Sequence, residues 1–227
     1  RVLFRSTATF SVTTTTRPKP TLSLSPVEVL EFFPDVHRYR YHGEWVSHSI
    51  TTVVNDKTPE QMARIMSTRS EWEPRGNYVH NALERFLTFA DPGDPGDYGA
   101  WIRPMVGHPM WRKYSAVACE HRMVDARHSI AGSFDALLQN TETGELVLAD
   151  LKTQSSEHSK PRDISKQLGG YLSLMDQCHR NVGTKVTKCI GIWAKPGKTT
   201  ITTFEPEDCL ENYLAARHTF LSQQPEW

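Results

Sequence analysis

The sequence predicts an α/β protein of the α+β kind, with a central mixed β-sheet flanked by helices. Three observations carry that expectation. Runs rich in Val, Ile, Thr and aromatic residues fall in pairs joined by turn residues, Asn140–Gly144 in one pair and Pro196-Gly197 in another. Between such pairs lie segments with apolar residues at helical spacing, among them Val79, Leu83, Phe86 and Leu87. Antiparallel hairpins interleaved with helices bury their apolar faces as a sheet covered by helices.

The elements follow in order. Residues 1–26 hold no acidic residue, four basic ones and the run Thr13–Thr16. A loosely attached tail, an organelle transit peptide, or a strand over Ala8–Thr16 laid on the domain are the readings of that composition. The remainder, 27–227, reads as one domain. Tyr39–Val54 looks like a hairpin turning near Gly43. Thr58-Pro59-Glu60-Gln61 is a helix start, with Thr58 as cap and Gln61 completing a capping box. Pro74 is expected to interrupt that helix, and Gly76–Ala90 to form a second one. Asp91–Asp97 is a turn-rich linker. Strands are expected at Ala116–Val124, Ser129–Leu138 and Glu145–Lys152, and a helix over Pro161–Arg180 with Ile164, Leu168, Leu172 and Met175 facing inward. A strand pair, Val186–Ala194 and Thr199–Phe204, precedes a closing helix, Pro206–Leu221.

Composition narrows the function. The 227 residues carry 26 basic and 26 acidic side chains, so a protein that coats nucleic acid through a broad basic face is disfavoured; a local basic groove is not. The four cysteines, Cys119, Cys178, Cys189 and Cys209, form no CxxC pair, which argues against structural zinc and cysteine-ligated iron–sulfur clusters. Reduced thiols in a cytosol-like compartment fit that usage. No apolar run reaches membrane-spanning length.

The chemistry concentrates on successive strands. Asp150 and Lys152 are two apart on a strand, so their heads share a face while Leu151 points the other way. That tripeptide alone reads more simply as a strand-end ion pair. Asp135 ends the preceding strand and Glu120 falls on the one before, so three acids and one ammonium lie on three successive strands. Carboxylates brought that close need a cation between them, and hard oxygen ligands suit magnesium or manganese. His80 and Glu84 share one face of a helix, as do Gln167 and Tyr171. Taken singly, each is more simply a packed or boundary residue. Lys160, Arg162 and Lys166 follow the lysine motif and could track a phosphate backbone; Arg112, Lys113 and Arg122 form an earlier cluster. Trp101, Trp111 and Tyr114 suit packing better than base stacking.

The ordered set resembles the RecB-type nucleases of the PD-(D/E)XK superfamily. Gly76, His80, Leu83 and Glu84 match its helix motif; Glu120, Gly132 with Asp135, Asp150 with Lys152, and Gln167 with Tyr171 follow in sequence. The layout is similar to phage-type and mitochondrial genome-maintenance-type exonucleases, over roughly residues 40–222. The resemblance implies a restriction-endonuclease-like fold and a metal-dependent deoxyribonuclease, an exonuclease more than a site-specific endonuclease. It implies that Asp135, Asp150 and the Leu151 carbonyl hold Mg2+ or Mn2+, with His80 and Glu120 completing the site. Lys152 would orient or deprotonate water and offset charge on the phosphate. Gln167 and Tyr171 would position the phosphate or support the wall. The partner would be DNA, single-stranded or at its ends. Any helicase or recombination partner would be a separate protein, since no GxxxxGK[ST] loop occurs. A bacterial or phage-infected cytoplasm is the expected setting, or an organelle if the first segment is a transit peptide. The rival readings are a catalytically inactive nucleic-acid-binding module of the same fold and a small-molecule phosphoesterase.

Overall fold

The computed structural model describes residues 19–224. The reading of Ala8–Thr16 lies outside the described residues. Residues 19–26 lie against the main sheet: the Thr21 amide donates to Gln139 Oε1 at 2.7 Å, and Leu22 and Leu24 pack on the core.

A meander forms the first half of the large sheet. β5 (Tyr114–Asp125), β6 (Ile130–Asn140) and β7 (Leu146–Thr153) run antiparallel. The β6–β7 turn is built by Asn140, whose side-chain oxygen accepts the Glu142 and Thr143 amides at 2.9 and 3.2 Å. From β7 the chain crosses over through α5 (Ser165–Cys178) and returns as β8 (Val186–Lys195), parallel to β7. β9 (Lys198–Phe204) pairs antiparallel with β8. The two-residue strand β4 (His48–Ser49) lies parallel to the start of β6. The sheet is therefore mixed, as expected. A smaller sheet of β1 (Leu30–Phe33), β2 (Arg38–Tyr41) and β3 (Glu44–Trp45) stands beside it.

Helices cover both faces. On one side α3 (Arg69–Phe89) and α4 (Gly99–Val106) bury Val79, Leu83, Phe86, Ile102 and Met105 against Ala136, Leu138, Val147, Ala149 and Leu151. On the other, α5 and α6 (Pro206–Ser222) bury Leu168, Leu172, Met175 and Tyr213 against Phe134, Leu137, Leu148 and Trp193. α5 and α6 approach so closely that a Cβ on Gly169 would lie 1.9 Å from the Cys209 carbonyl oxygen. α2 (Pro59–Met66) has the expected Thr58–Gln61 capping box and no buried residue.

Four local expectations are corrected. Pro74 does not interrupt a helix; it lies inside α3, where it is exposed and leaves unpaired only the exposed carbonyl of Ser70. The break falls instead between Met66 and Arg69. The second arm of the 39–54 hairpin ends at Trp45; His48–Ser49 joins the large sheet instead, and the Ser49 side chain accepts the Thr52 amide at 3.1 Å to start a helical turn, α1 (Ile50–Val53). The helix expected from Pro161 starts at Ser165, whose amide is taken by Asp163 Oδ1 at 2.8 Å. α4 lies in a stretch for which no element was expected.

Candidate metal centre

The centre is built where β6 and β7 separate. Their ladder pairs Ala136 with Ala149 and stops. One step further, Asp135 would face Asp150. Instead the Leu151 amide donates to Asp135 Oδ2, so a side chain takes the place of a backbone partner. Within a strand, the N–H and C=O of one residue point to the same flank. The Leu151 carbonyl is thus directed at the same opening, while its side chain packs in the α3 layer.

A second irregularity lies opposite. Glu120 on β5 has φ +44, between the pairs Cys119–Ala136 and His121–Phe134. A left-handed non-glycine residue costs about 1–3 kcal/mol and persists only where its surroundings impose it. The alternation of faces slips by one residue here: Gly132 and Phe134 face α5, whereas Ala136 and Leu138 face α3. The slip brings the carboxylates of Glu120 and Asp135 to His80 on α3. His80 Nδ1 is 3.2 Å from Asp135 Oδ1 and 3.9 Å from Glu120 Oε1. One donor atom from each of the three lies within 4.8 Å of the others.

Asp150 stands outside that trio. Its Oδ2 has Lys152 Nζ at 2.7 Å, and its Oδ1 accepts from Gln167 Nε2 at 3.2 Å. Gln167 also donates to the Tyr171 hydroxyl at 2.6 Å. The expected pairs along β7 and along α5 are therefore one connected network.

Charge at the centre is set by burial working against neighbours. Burial opposes a charged His80, but Asp135 and Glu120 outweigh it and raise its pKa to about 10. Burial pushes Asp150 up to about 6, with Lys152 opposing and Asp135 adding to the rise. Burial would neutralise Lys152; Asp150 and Asp135 instead hold it charged, its pKa above the ordinary lysine value. Asp135 is kept low, against burial, by His80, Lys152 and the Leu151 amide. Glu120 is raised, first by burial. The two carboxylates thus favour a protonated His80 between them.

The residues fit a hard divalent cation. The donors are carboxylate oxygens and one imidazole nitrogen, the ligand types of Mg2+ and Mn2+. Asp150 Oδ2 is buried with the Lys152 ammonium at 2.7 Å, and a carboxylate oxygen, with two lone pairs, can accept one further partner. His80, Glu120 and Asp135 would hold the ion, with Asp150 and the Leu151 carbonyl on its β7 side.

The surrounding basic residues divide. Lys160 and Arg162 are exposed on the loop after β7, and Arg162 is near enough to bear on the Lys152 charge. Lys166 Nζ lies 3.7 Å from Asp56 Oδ2. Trp111 is buried with its indole donating to the Met105 carbonyl at 2.6 Å, and Trp101 donates to the Gln154 carbonyl at 2.7 Å, so both are packing residues. One residue was not singled out from the sequence. Tyr39 on β2 is buried, and after burial the charges of Glu120 and Asp135 help push its phenol pKa up. Nothing in Tyr39-Arg40-Tyr41 but strand alternation could have signalled it.

Fold and site together define a mixed α/β protein with a carboxylate–histidine centre at a strand opening. No family model and no curated protein matches the chain. The solved structure of SSO0001 aligns with a TM-score of 0.42 and 17% identity, over 78% of this chain and 76% of that one, a likeness too distant to speak to fold or function. No helix among the described residues is long and apolar enough to cross a membrane.

Proposed function

We propose that this chain is a metal-dependent deoxyribonuclease of the RecB-like PD-(D/E)XK kind, acting as an exonuclease on single-stranded DNA or DNA ends. The observation that carries the reading is the opening between β6 and β7. There the His80–Glu120–Asp135 trio and the Asp150–Lys152 pair meet from opposite sides. A phosphodiester is a poor electrophile because its charge repels nucleophiles. A site that hydrolyses it must supply fixed positive charge and an activated water.

His80, Glu120 and Asp135 would hold Mg2+ or Mn2+, which would supply a Lewis acid and a bound water of lowered pKa. Lys152 is the chain's own contribution. Its ammonium is held in place by Asp150 and stays charged, which suits stabilising the pentavalent phosphate better than removing a proton. Gln167 and Tyr171 fix Asp150 from behind, so its carboxylate does not rotate away. Lys160, Arg162 and Lys166 border the path for the rest of the strand. A helicase or recombination protein working beside the chain, in the cytoplasm or an organelle, belongs to the same reading.

The test is incubation of the protein with end-labelled single- and double-stranded DNA, with Mg2+, Mn2+ or chelator. Metal-dependent shortening from an end is expected. Full activity in excess chelator, or none with either metal, sinks the reading.

A further inference from the structure

The three glycines inside α3 and α5 have different reasons to be glycine. Gly169 and Gly170 on α5 are forced: a Cβ would meet the Cys209 carbonyl oxygen at 1.9 Å and the Ile50 side chain at 2.8 Å. Gly76 on α3 is not. It lies in ordinary helical backbone, where glycine weakens the helix, and nothing lies within 4 Å of where its Cβ would be. Gly76 is half-buried, and the space beside it is open. Residues four apart on a helix share a face, so this open space sits one turn from His80.

The neighbouring charge suits a polyanion. Arg75, the preceding residue, is half-buried over the Trp101 ring at 5.5 Å. Its Nε is buried without a hydrogen-bond partner, and no carboxylate pairs with it among the described residues. A guanidinium in that state can accept an outside anion at little cost.

We propose that Gly76 provides clearance for the substrate: the open space beside it receives the sugar–phosphate backbone of the DNA strand, next to the phosphate presented to the His80–Glu120–Asp135 centre. The inference rests on the nuclease reading and adds where the strand runs, along α3 above His80.

The experiment compares cleavage of end-labelled single-stranded DNA by wild type, Gly76→Ala and Gly76→Leu, with Tm and Mn2+ affinity measured for each. Both variants should gain helix propensity and melt about 2–4 °C higher. Mn2+ affinity should match wild type. KM should rise with side-chain size, about tenfold for the leucine. Unchanged KM in both variants overturns the clearance role and leaves the nuclease reading standing. A lower Tm with weakened Mn2+ binding in Gly76→Ala makes the glycine structural and also overturns it. If the leucine variant fails to fold, the alanine variant decides. No cleavage by wild type with either metal overturns both readings.

Discussion

Asp135 accepts the Leu151 amide across the gap where β6 and β7 part. One carboxylate thus serves two ends. Oδ2 closes a broken sheet ladder, and Oδ1 faces His80 at 3.2 Å. The residue that stops the strands from pairing also aims the group that could hold a metal.

Asp135→Asn should therefore separate two effects. The amide can still accept from Leu151 through its oxygen, so the fold should survive with a loss of about 1 kcal/mol. The negative charge at His80 is gone, so Mn2+ affinity should fall at least tenfold. Calorimetric titration with Mn2+ checks this; wild-type affinity in a folded variant removes Asp135 from the ligand set.

Lys152→Ala should cost turnover without costing metal. Loss of a transition-state electrostatic partner lowers kcat by on the order of a hundredfold or more. Asp150→Ala should also lose turnover, since it removes the group that fixes Lys152 at 2.7 Å. Near-normal kcat in either variant would dismiss the β7 pair as machinery.

Metal uptake should release protons. His80, at about 10, carries one at neutral pH and must lose it to become a ligand. Calorimetry in buffers of different ionisation enthalpy should report about one proton per Mn2+ at pH 7, and none if His80 stays outside the coordination sphere. The metal-free protein carries the matching stability signature. A pKa raised in the folded state favours the protonated form. The His80 contribution is thus fully present below its ordinary 6.5 and lost as pH rises through about 10. Asp150 is also raised, from 3.8 to about 6, so its ionisation in the fold costs stability as pH rises through that interval. Replacing His80 with Gln should flatten the alkaline limb of a pH–Tm curve.

Neutralising Lys160 and Arg162 should weaken DNA binding and shallow its salt dependence. Each lost phosphate contact removes about 0.7 from the log–log slope on a single strand. Lys166→Gln should add less, because Asp56 already sits 3.7 Å from its ammonium. An unchanged slope in the double variant would send the strand elsewhere.

Gly169→Ala should be severely destabilising, about 3 kcal/mol, because the added methyl meets the Cys209 backbone and not a movable side chain. A denaturant midpoint equal to wild type would contradict the α5–α6 packing.

The large sheet was legible because its strands are long apolar runs, such as Leu146–Asp150 and Ile190–Ala194, bounded by strong turn residues. The ordered placing of Glu120, Asp135, Asp150 and Lys152 on successive strands was legible for the same reason. What composition could not carry was backbone geometry. The positive φ of Glu120 and the early end of the β6–β7 ladder leave no mark in residue spacing, yet they decide which carboxylates meet His80. Pro74 misled in the opposite sense, since a proline inside a helix is tolerated where it lies on the exposed side. The hairpin at Gly43 was legible, but not that it brings Tyr39 close enough for Glu120 and Asp135 to act on its phenol.

The parallel pairing of β7 with β8 bears on the order in which the molecule assembles. β5, β6 and β7 can zip together through short turns, as fast local hairpins. β8 must wait until α5 has crossed the sheet, and His80 joins only when α3, far earlier in the chain, docks. The three donors of the trio are drawn from positions 80, 120 and 135, and Lys152 from beyond the meander's last turn. The trio is thus complete only once α3 has docked on the meander. A partly folded chain with its meander in place still lacks the His80 donor. The donor set is a property of the finished tertiary structure and of no single segment.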